Sequence, residues 1–145
     1  TLNLPIIINH KTISGQSVVQ LETAMGSIIE TCSTEFMWVD RSRFLPVKTT
    51  ADLMRVQSIL FYNMIDSDMV LPLINLDGHY DSVNEYMTLI KIPPKLHSGS
   101  SLTIRGPVIF ERNVEILGSV IIENKTAQPK KVQRRILQDE CLTFN

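Results

Sequence analysis

Between Arg41 and Thr49 the chain sets three cations (Arg41, Arg43 and Lys48) and two hydroxyls (Ser42 and Thr49) into nine consecutive positions around Pro46. Residues of these types bind phosphate. Guanidinium and ammonium groups donate charge-assisted hydrogen bonds to phosphoryl oxygens, each contributing about 1.5 to 3 kcal/mol. A helix opening at the end of the run would add free backbone amides and the positive end of its dipole. Pro46 fixes its own φ and stiffens the approach to Lys48. On pattern alone a basic loop is more often solvated surface, so phosphate binding is one of two open readings. No second constellation competes with it. His10, His79 and His97 form no cluster with Asp or Cys in the sequence, so no metal site is expected. Cys32 and Cys141 make no CxxC pair, which argues against a zinc site or a disulfide framework and for reduced thiols.

The elements that position this run belong to a chain of 145 residues, 43% apolar and 20% charged, with a formal net charge of -1. That balance fits a globular protein and excludes nonspecific attraction to nucleic acid; any bound anion must be held by local groups. No apolar run is long enough to cross a bilayer and no signal-type segment opens the chain, so the expected address is the cytoplasm, with no membrane partner. Thr1 stands where Met would, and apolar residues begin at Leu4, so a piece of a longer protein is expected.

Leu4 to Ile8 is short, β-branched and apolar on both faces, which predicts a strand buried inside a sheet, followed by a polar turn from Asn9 to Gln16. From Val18, the residues Leu21, Met25, Ile28 and Ile29 recur at helical spacing with Glu22 and Glu30 outside the stripe, predicting an amphipathic helix ending near Cys32. Phe36 to Val39 predicts a second strand, leading into the basic segment. Thr49 and Asp52 have capping-box spacing, and Leu53, Val56, Ile59 and Leu60 form the expected buried stripe of the helix that follows, to about Asn63. Val70 to Leu76 reads as a strand, Asp77 and Gly78 as a turn, and Ser82 with Glu85 as a second capping box opening a helix through Ile90. Pro93 and Pro94 mark a boundary.

Beyond them the period changes to six. In the hexads Ser101 to Gly106, Pro107 to Arg112, Asn113 to Gly118 and Ser119 to Asn124, the second places hold Leu102, Val108, Val114 and Val120. The fourth places hold Ile104, Phe110, Ile116 and Ile122; the sixth hold Gly106, Arg112, Gly118 and Asn124. Apolar alternation between small or turn-tolerant corners predicts a hexapeptide β-helix, with a β-meander as the alternative. Four hexads are little more than one coil and need a neighbour to pack on. The tail from Lys125, with Lys130, Lys131, Arg134 and Arg135 beside Val132, Ile136 and Leu137, is expected to cap the coil.

Gln20 to Gly26 and Arg41 to Thr49 resemble two signature stretches of eukaryotic UDP-glucose pyrophosphorylases, in the right order and at a similar separation, and Ile6 to Thr12 resembles the segment just upstream. The hexapeptide section also resembles the short β-helical domain that ends this family. Agreement runs from about Leu2 to Asn124. The resemblance implies α/β plus β: residues 1–94 as the C-terminal piece of a Rossmann-like nucleotidyltransferase domain, and 95–145 as a left-handed parallel β-helix with a basic tail. It implies transfer of UMP from UTP to glucose 1-phosphate, giving UDP-glucose and pyrophosphate with magnesium (Mg2+), whose ligands lie outside this chain. Lys48 matches the family lysine that contacts the phosphates and Phe44 a residue on the sugar side of the pocket, against which an exposed lysine and a core phenylalanine are the plain structural readings. Arg41 and Arg43 are expected mainly to fasten the loop, while Asn9, Lys11, Gln20 and Glu22 are weaker candidates for hydrogen bonding behind the site.

Asp40 stands where the family usually has Pro, Ser14 to Gln16 replaces its common Asp-Gly-Gly turn, and nothing here resembles the Gly-rich loop that grips UTP. The chain alone is therefore expected to be inactive. Rival readings are a pyrophosphorylase for another sugar or an N-acetylhexosamine, a β-helix that chiefly assembles homo-oligomers, and a hexapeptide-repeat acyltransferase, for which four hexads supply too few coils.

Overall fold

The computed structural model describes residues 3–40, 43–66, 68–133 and 136–145, which divide into two units, Thr1–Val39 and Asp40–Asn145. In the first, β1 (Ile6–Ile13) and β2 (Gln16–Thr23) form an antiparallel hairpin in which Ile6 faces Thr23 and Ile13 faces Gln16. The turn is two residues, Ser14 at φ 50° and Gly15 at φ 79°, and positive φ at both central positions gives the twist that a tight hairpin needs.

This hairpin corrects three expectations. The predicted buried strand exists but is exposed, with Ile6 at 66% and Ile8 at 59% accessibility. The expected turn from Asn9 to Gln16 shrinks to Ser14 and Gly15, because the β-branched residues on either side pair instead. Val18 to Thr23, expected in a helix, is strand; the helical spacing of Leu21, Met25 and Ile28 survives only as a short 3-10 helix, Met25–Glu30, with no buried residue. Phe36 to Val39 has no regular structure, and a strand requires a partner that no described residue supplies.

In the second unit, α1 (Thr50–Phe61) starts at the predicted capping box: the Thr49 side chain accepts from the Asp52 amide, and the Asp52 carboxylate from the Thr49 amide. Its inward face is Met54, Ser58 and Ile59; of the predicted stripe only Ile59 is buried, and Leu60 is exposed. The reason is a hydrogen bond: the Ser58 hydroxyl receives the Leu96 amide at 3.0 Å, turning that face toward the downstream strands. Then come β3 (Leu73–Leu76), a 3-10 turn (Gly78–Tyr80) and α2 (Val83–Leu89), capped by Ser82 with Glu85 as predicted.

The remaining strands are β4 (Lys95–Leu96), β5 (Ser101–Arg105), β6 (Val108–Phe110), β7 (Glu115–Leu117), β8 (Ser119–Asn124), β9 (Lys130–Val132), β10 (Ile136–Gln138) and β11 (Cys141–Phe144). They form three parallel sheets, ordered β10-β7-β4, β11-β8-β5-β3 and β6-β9, giving an α/β fold with parallel sheets. From β4 onward the chain visits the sheets in fixed rotation, and Leu102 lies beside Val120 eighteen residues later, three hexads on. All eight inward hexad residues are buried. The tail does not cap this coil but extends it: β9 pairs with β6, β10 with β7 and β11 with β8, burying Val132 and Leu137. Arg134 and Arg135 lie outside the described residues.

Two corners require glycine. Gly106 (φ 79°) and Gly118 (φ 60°) hold left-handed backbone, and a Cβ would collide with the Asn124 carbonyl at the first and the Asp139 carboxylate at the second. Upstream and downstream of Pro93 and Pro94 the residues share one core, in which Met54 and Tyr86 pack in the same cluster as Leu96 and Leu102. No helix among the described residues is long and apolar enough to cross a membrane.

Candidate functional site

From Phe44 the basic segment runs without regular secondary structure into α1, and it sets Lys48 immediately before the helix cap. Arg43, Phe44 and Lys48 are exposed; Arg41 and Ser42 lie outside the described residues. The Arg43 amide donates to the Asp40 carbonyl at 3.1 Å. Arg43 and Leu45 line a cavity of about 650 Å³ whose far wall is Ile59, Met64 and Leu71, while neither Phe44 nor Lys48 is part of its lining. This unit therefore offers Lys48 and Phe44 on an open surface rather than inside a closed pocket.

What fixes Lys48 is a carboxylate that the sequence reading used only as a helix cap. Asp52 Oδ2 receives the Lys48 amide at 3.1 Å, the Thr49 amide at 3.0 Å and the Thr49 hydroxyl at 2.9 Å. Its other oxygen receives Arg55 Nη1 at 2.8 Å, and Arg55 Nε donates to the Pro72 carbonyl at 2.8 Å. Burial pushes the Asp52 carboxyl up, but the Thr49 hydroxyl, the Lys48 amide and Arg55 outweigh it and hold it down at about 2. Asp52 is thus ionised at neutral pH, and the loop amides are bound to a full charge. The signal for Arg55 was its position one helical turn after Asp52, but its second partner lies far along the chain and no local spacing reveals it.

In the hairpin unit the structure brings four other predicted residues together. Asn9 faces Gln20, and Lys11 and Glu22 occupy neighbouring pairs with the same side-chain parity, so all four lie on one face of the two strands. Gln20 Nε2 donates to Glu22 Oε1. The opposite face carries Ile6, Ile8, Val19 and Leu21. Gln20 and Glu22, expected on a helix, lie on β2, and the strand pairing gives them their common face with Asn9 and Lys11.

The three histidines are dispersed. His79 Nδ1 lies 3.0 Å from Asp77 Oδ1, and His97 Nε2 lies 2.7 Å from Glu115 Oε2, both in the strands and turns of the second unit. Among the described residues no group of three or more His, Cys, Asp or Glu could hold a metal ion. No such group among the described residues fits a magnesium site.

Residues 1–117 match the family model described as UTP--glucose-1-phosphate uridylyltransferase. Among curated relatives, UTP--glucose-1-phosphate uridylyltransferase 2 of Dictyostelium discoideum is 36% identical over 129 residues, covering 83% of this chain and 26% of that protein. A probable UTP--glucose-1-phosphate uridylyltransferase of Schizosaccharomyces pombe is 32% identical, covering 97% of this chain and 30% of that protein. Among solved structures, a UDP-glucose phosphorylase from Trypanosoma brucei superimposes with a TM-score of 0.63 at 32% identity, over 100% of this chain and 35% of that one. A mutant UDP-glucose pyrophosphorylase from Leishmania major, in complex with UDP-glucose, gives 0.62 at 28% identity, over 97% and 33%. The chain spans between a quarter and a third of the length of these curated relatives.

Proposed function

Since this chain belongs to the UTP--glucose-1-phosphate uridylyltransferase family, we propose that the full protein containing it transfers UMP from UTP to glucose 1-phosphate, releasing pyrophosphate and giving UDP-glucose. The observation that carries this reading is the match of the family model across residues 1–117, which takes in both signature stretches and the Lys48 loop.

In the proposed reaction an oxygen of the sugar phosphate attacks the α-phosphorus of UTP, a P–O bond to that phosphorus forms, and the bond to pyrophosphate breaks. Charge builds on the phosphoryl oxygens, and the Lys48 ammonium stabilises it. Removal of one such preorganised group typically costs about 2.7 to 4 kcal/mol of activation free energy. The Phe44 ring packs on the hexose and excludes water. Arg43 and Arg41 hold the loop, and Asn9, Lys11, Gln20 and Glu22 are assigned a supporting hydrogen-bonding role. Magnesium, which the family implies, would neutralise pyrophosphate charge from ligands elsewhere in the full protein.

The finer architecture in this reading is a functional division at Pro94: residues 1–94 close a nucleotidyltransferase domain, and 95–145 wind as a left-handed β-helix. The eighteen-residue spacing between Leu102 and Val120, three hexads to a turn, supports a coil of this kind. A second role for the coil is self-assembly, supported by the position of β9, β10 and β11 at the edges of their sheets within this chain. The cytoplasm is the proposed compartment.

The test is pyrophosphate release from UTP and glucose 1-phosphate by the full protein and by this chain, side by side. Activity in the full protein alone is expected. Activity in neither, with turnover of another sugar 1-phosphate or an N-acetylhexosamine 1-phosphate, replaces the substrate; activity in this chain alone refutes the division of labour. Light scattering of the full protein with and without residues beyond 94 tests assembly, and an unchanged subunit count rejects it.

A further inference from the structure

A capping box needs one carboxylate bond, to the amide of the cap residue. Asp52 makes that bond to Thr49 and then goes further: the same oxygen takes the amide of Lys48, one residue outside the helix, while the other takes Arg55. Neither addition is required to start α1. Arg55 in turn spends its Nε on the carbonyl of Pro72, immediately before β3, and β3 is anchored to the coil by Leu73 donating to Ser100 and pairing with Ser101. An unbroken series of hydrogen bonds therefore leads from the backbone of Lys48, through one carboxylate and one guanidinium, to the first strand of the parallel stack. The two Arg55 bonds are part-buried, with side-chain accessibilities of 24% for Asp52 and 19% for Arg55, so solvent screens them less than it would a fully exposed pair, whereas the bonds to the Lys48 and Thr49 amides are open to solvent.

We propose that Asp52 and Arg55 are positioning residues for Lys48, clamping its backbone to the coil so that its ammonium meets the phosphates at a fixed place. The proposal rests on the phosphate role given to Lys48 above. Asp52 fixes where the Lys48 backbone sits, and Arg55 fixes where Asp52 sits relative to β3. A planar guanidinium suits the task because it donates in two directions from one rigid group, to a carboxylate and to a carbonyl; a lysine reaches one of these well and not both. Without the clamp the ammonium keeps its charge but loses its place. A displacement of about 1 Å costs on the order of a hundredfold in rate. Substrate affinity that comes from other groups is unaffected, so the loss falls on kcat and leaves KM for glucose 1-phosphate nearly unchanged.

The experiment uses the full protein with Arg55→Lys, Arg55→Met and Asp52→Asn, each alone and combined with Lys48→Ala, measuring kcat, KM and the thermal midpoint. Alone, Asp52→Asn and Arg55→Met should lower kcat by about ten- to a hundredfold, with KM changing less than about threefold. Arg55→Lys, the mildest change to folding, should fall between them and the parent. In the Lys48→Ala background each should change kcat by less than about twofold, because a clamp has no effect once the group it aims is gone. Equal losses in both backgrounds, an unchanged kcat, or a loss that tracks the thermal midpoint alone would overturn the proposal. If Lys48→Ala itself leaves kcat unchanged, the phosphate reading of Lys48 falls and takes the clamp with it, an outcome distinct from a Lys48 that matters while Asp52 and Arg55 do not.

Discussion

The coil and the hairpin use similar branched aliphatic residues to opposite ends. In the coil, Leu102, Ile104, Val114, Ile116, Val120 and Ile122 are wholly buried by the strands stacked beside them. In the hairpin, Ile6, Ile8, Val19 and Leu21 lie on one face of two strands, and all four are more than half exposed. A two-stranded ribbon has no third layer against which to close, and such ribbons are marginal in water on their own. The coil closes on itself because its rotation through three sheets aims every second side chain at a common axis. The same residue type therefore stabilises one region strongly and contributes little to the other within this chain. Apolar composition alone does not identify a core.

The comparison predicts unequal responses to substitution. The largest should come at the corner where no side chain fits: Gly106→Val forces a Cβ onto the Asn124 carbonyl and strains a positive φ, costing about 3 kcal/mol or more of unfolding free energy by chemical denaturation. A loss under about 1 kcal/mol would show that the corner relaxes and that the close approach is not binding. Next, Leu102→Ala should cost about 2 to 5 kcal/mol, the range for emptying a packed apolar site. Leu21→Ala, at 65% accessibility, should fall within about 0.5 kcal/mol of the parent in this chain. Equal losses at the two leucines, read by the same denaturation, would remove the contrast between the regions.

The coil was legible because its signal is redundant. Eight inward positions repeat at fixed places in four hexads, and a single misread residue would not hide the period. The caps at Thr49 and Ser82 were legible because a hydroxyl and a carboxylate three residues apart determine a local geometry without tertiary help. The hairpin was not, since Val18, Leu21, Met25 and Ile28 satisfy a helical period while Val18, Gln20 and Glu22 satisfy a strand; the Ser14 and Gly15 turn decides between them. Phe36 to Val39 reads as a strand but finds no partner among the described residues, and a strand is a pairing rather than a property of one segment. The chemistry of the basic loop was visible as residue types. The clamp behind it was half visible: Asp52 in the capping box, but not the Arg55 bond to Pro72, which only tertiary folding creates.

A smaller effect separates helix capping from the core. Thr49→Ala removes the hydroxyl that receives the Asp52 amide and should cost about 1 kcal/mol, with Thr49→Ser recovering most of it. Thermal unfolding followed by circular dichroism reads both. If the alanine variant loses as much as Leu102→Ala, the cap is supporting more than its helix; if serine fails to rescue, the methyl group rather than the hydroxyl matters.

The mildest probe is acid, and its sign follows from three carboxylates in the coil-bearing unit. Burial raises Asp77, but the Gly106 amide at 2.6 Å and the His79 amide and ring outweigh it and hold the carboxyl below its ordinary value. Glu115 is lowered first by its bond to His97, against a smaller opposing effect of burial, with Lys95 adding to the lowering. Asp52 falls from its ordinary 3.8 to about 2. A carboxylate depressed on folding stabilises the native state above its unfolded pKa, and that contribution disappears as pH falls through the folded one. The thermal midpoint should therefore be level in this respect down to about pH 5 and fall progressively from about pH 4 toward pH 2. Asp77→Asn keeps the shape of the side chain without its charge. Its midpoint should lie below the parent near pH 6, fall less steeply in acid, and approach the parent as pH falls through the lowered pKa of Asp77. Parallel curves would mean that the Gly106 amide does not discriminate the charged form, and that this corner of the coil is held by Tyr80, whose hydroxyl donates to the Gly106 carbonyl at 3.1 Å and does not titrate in acid.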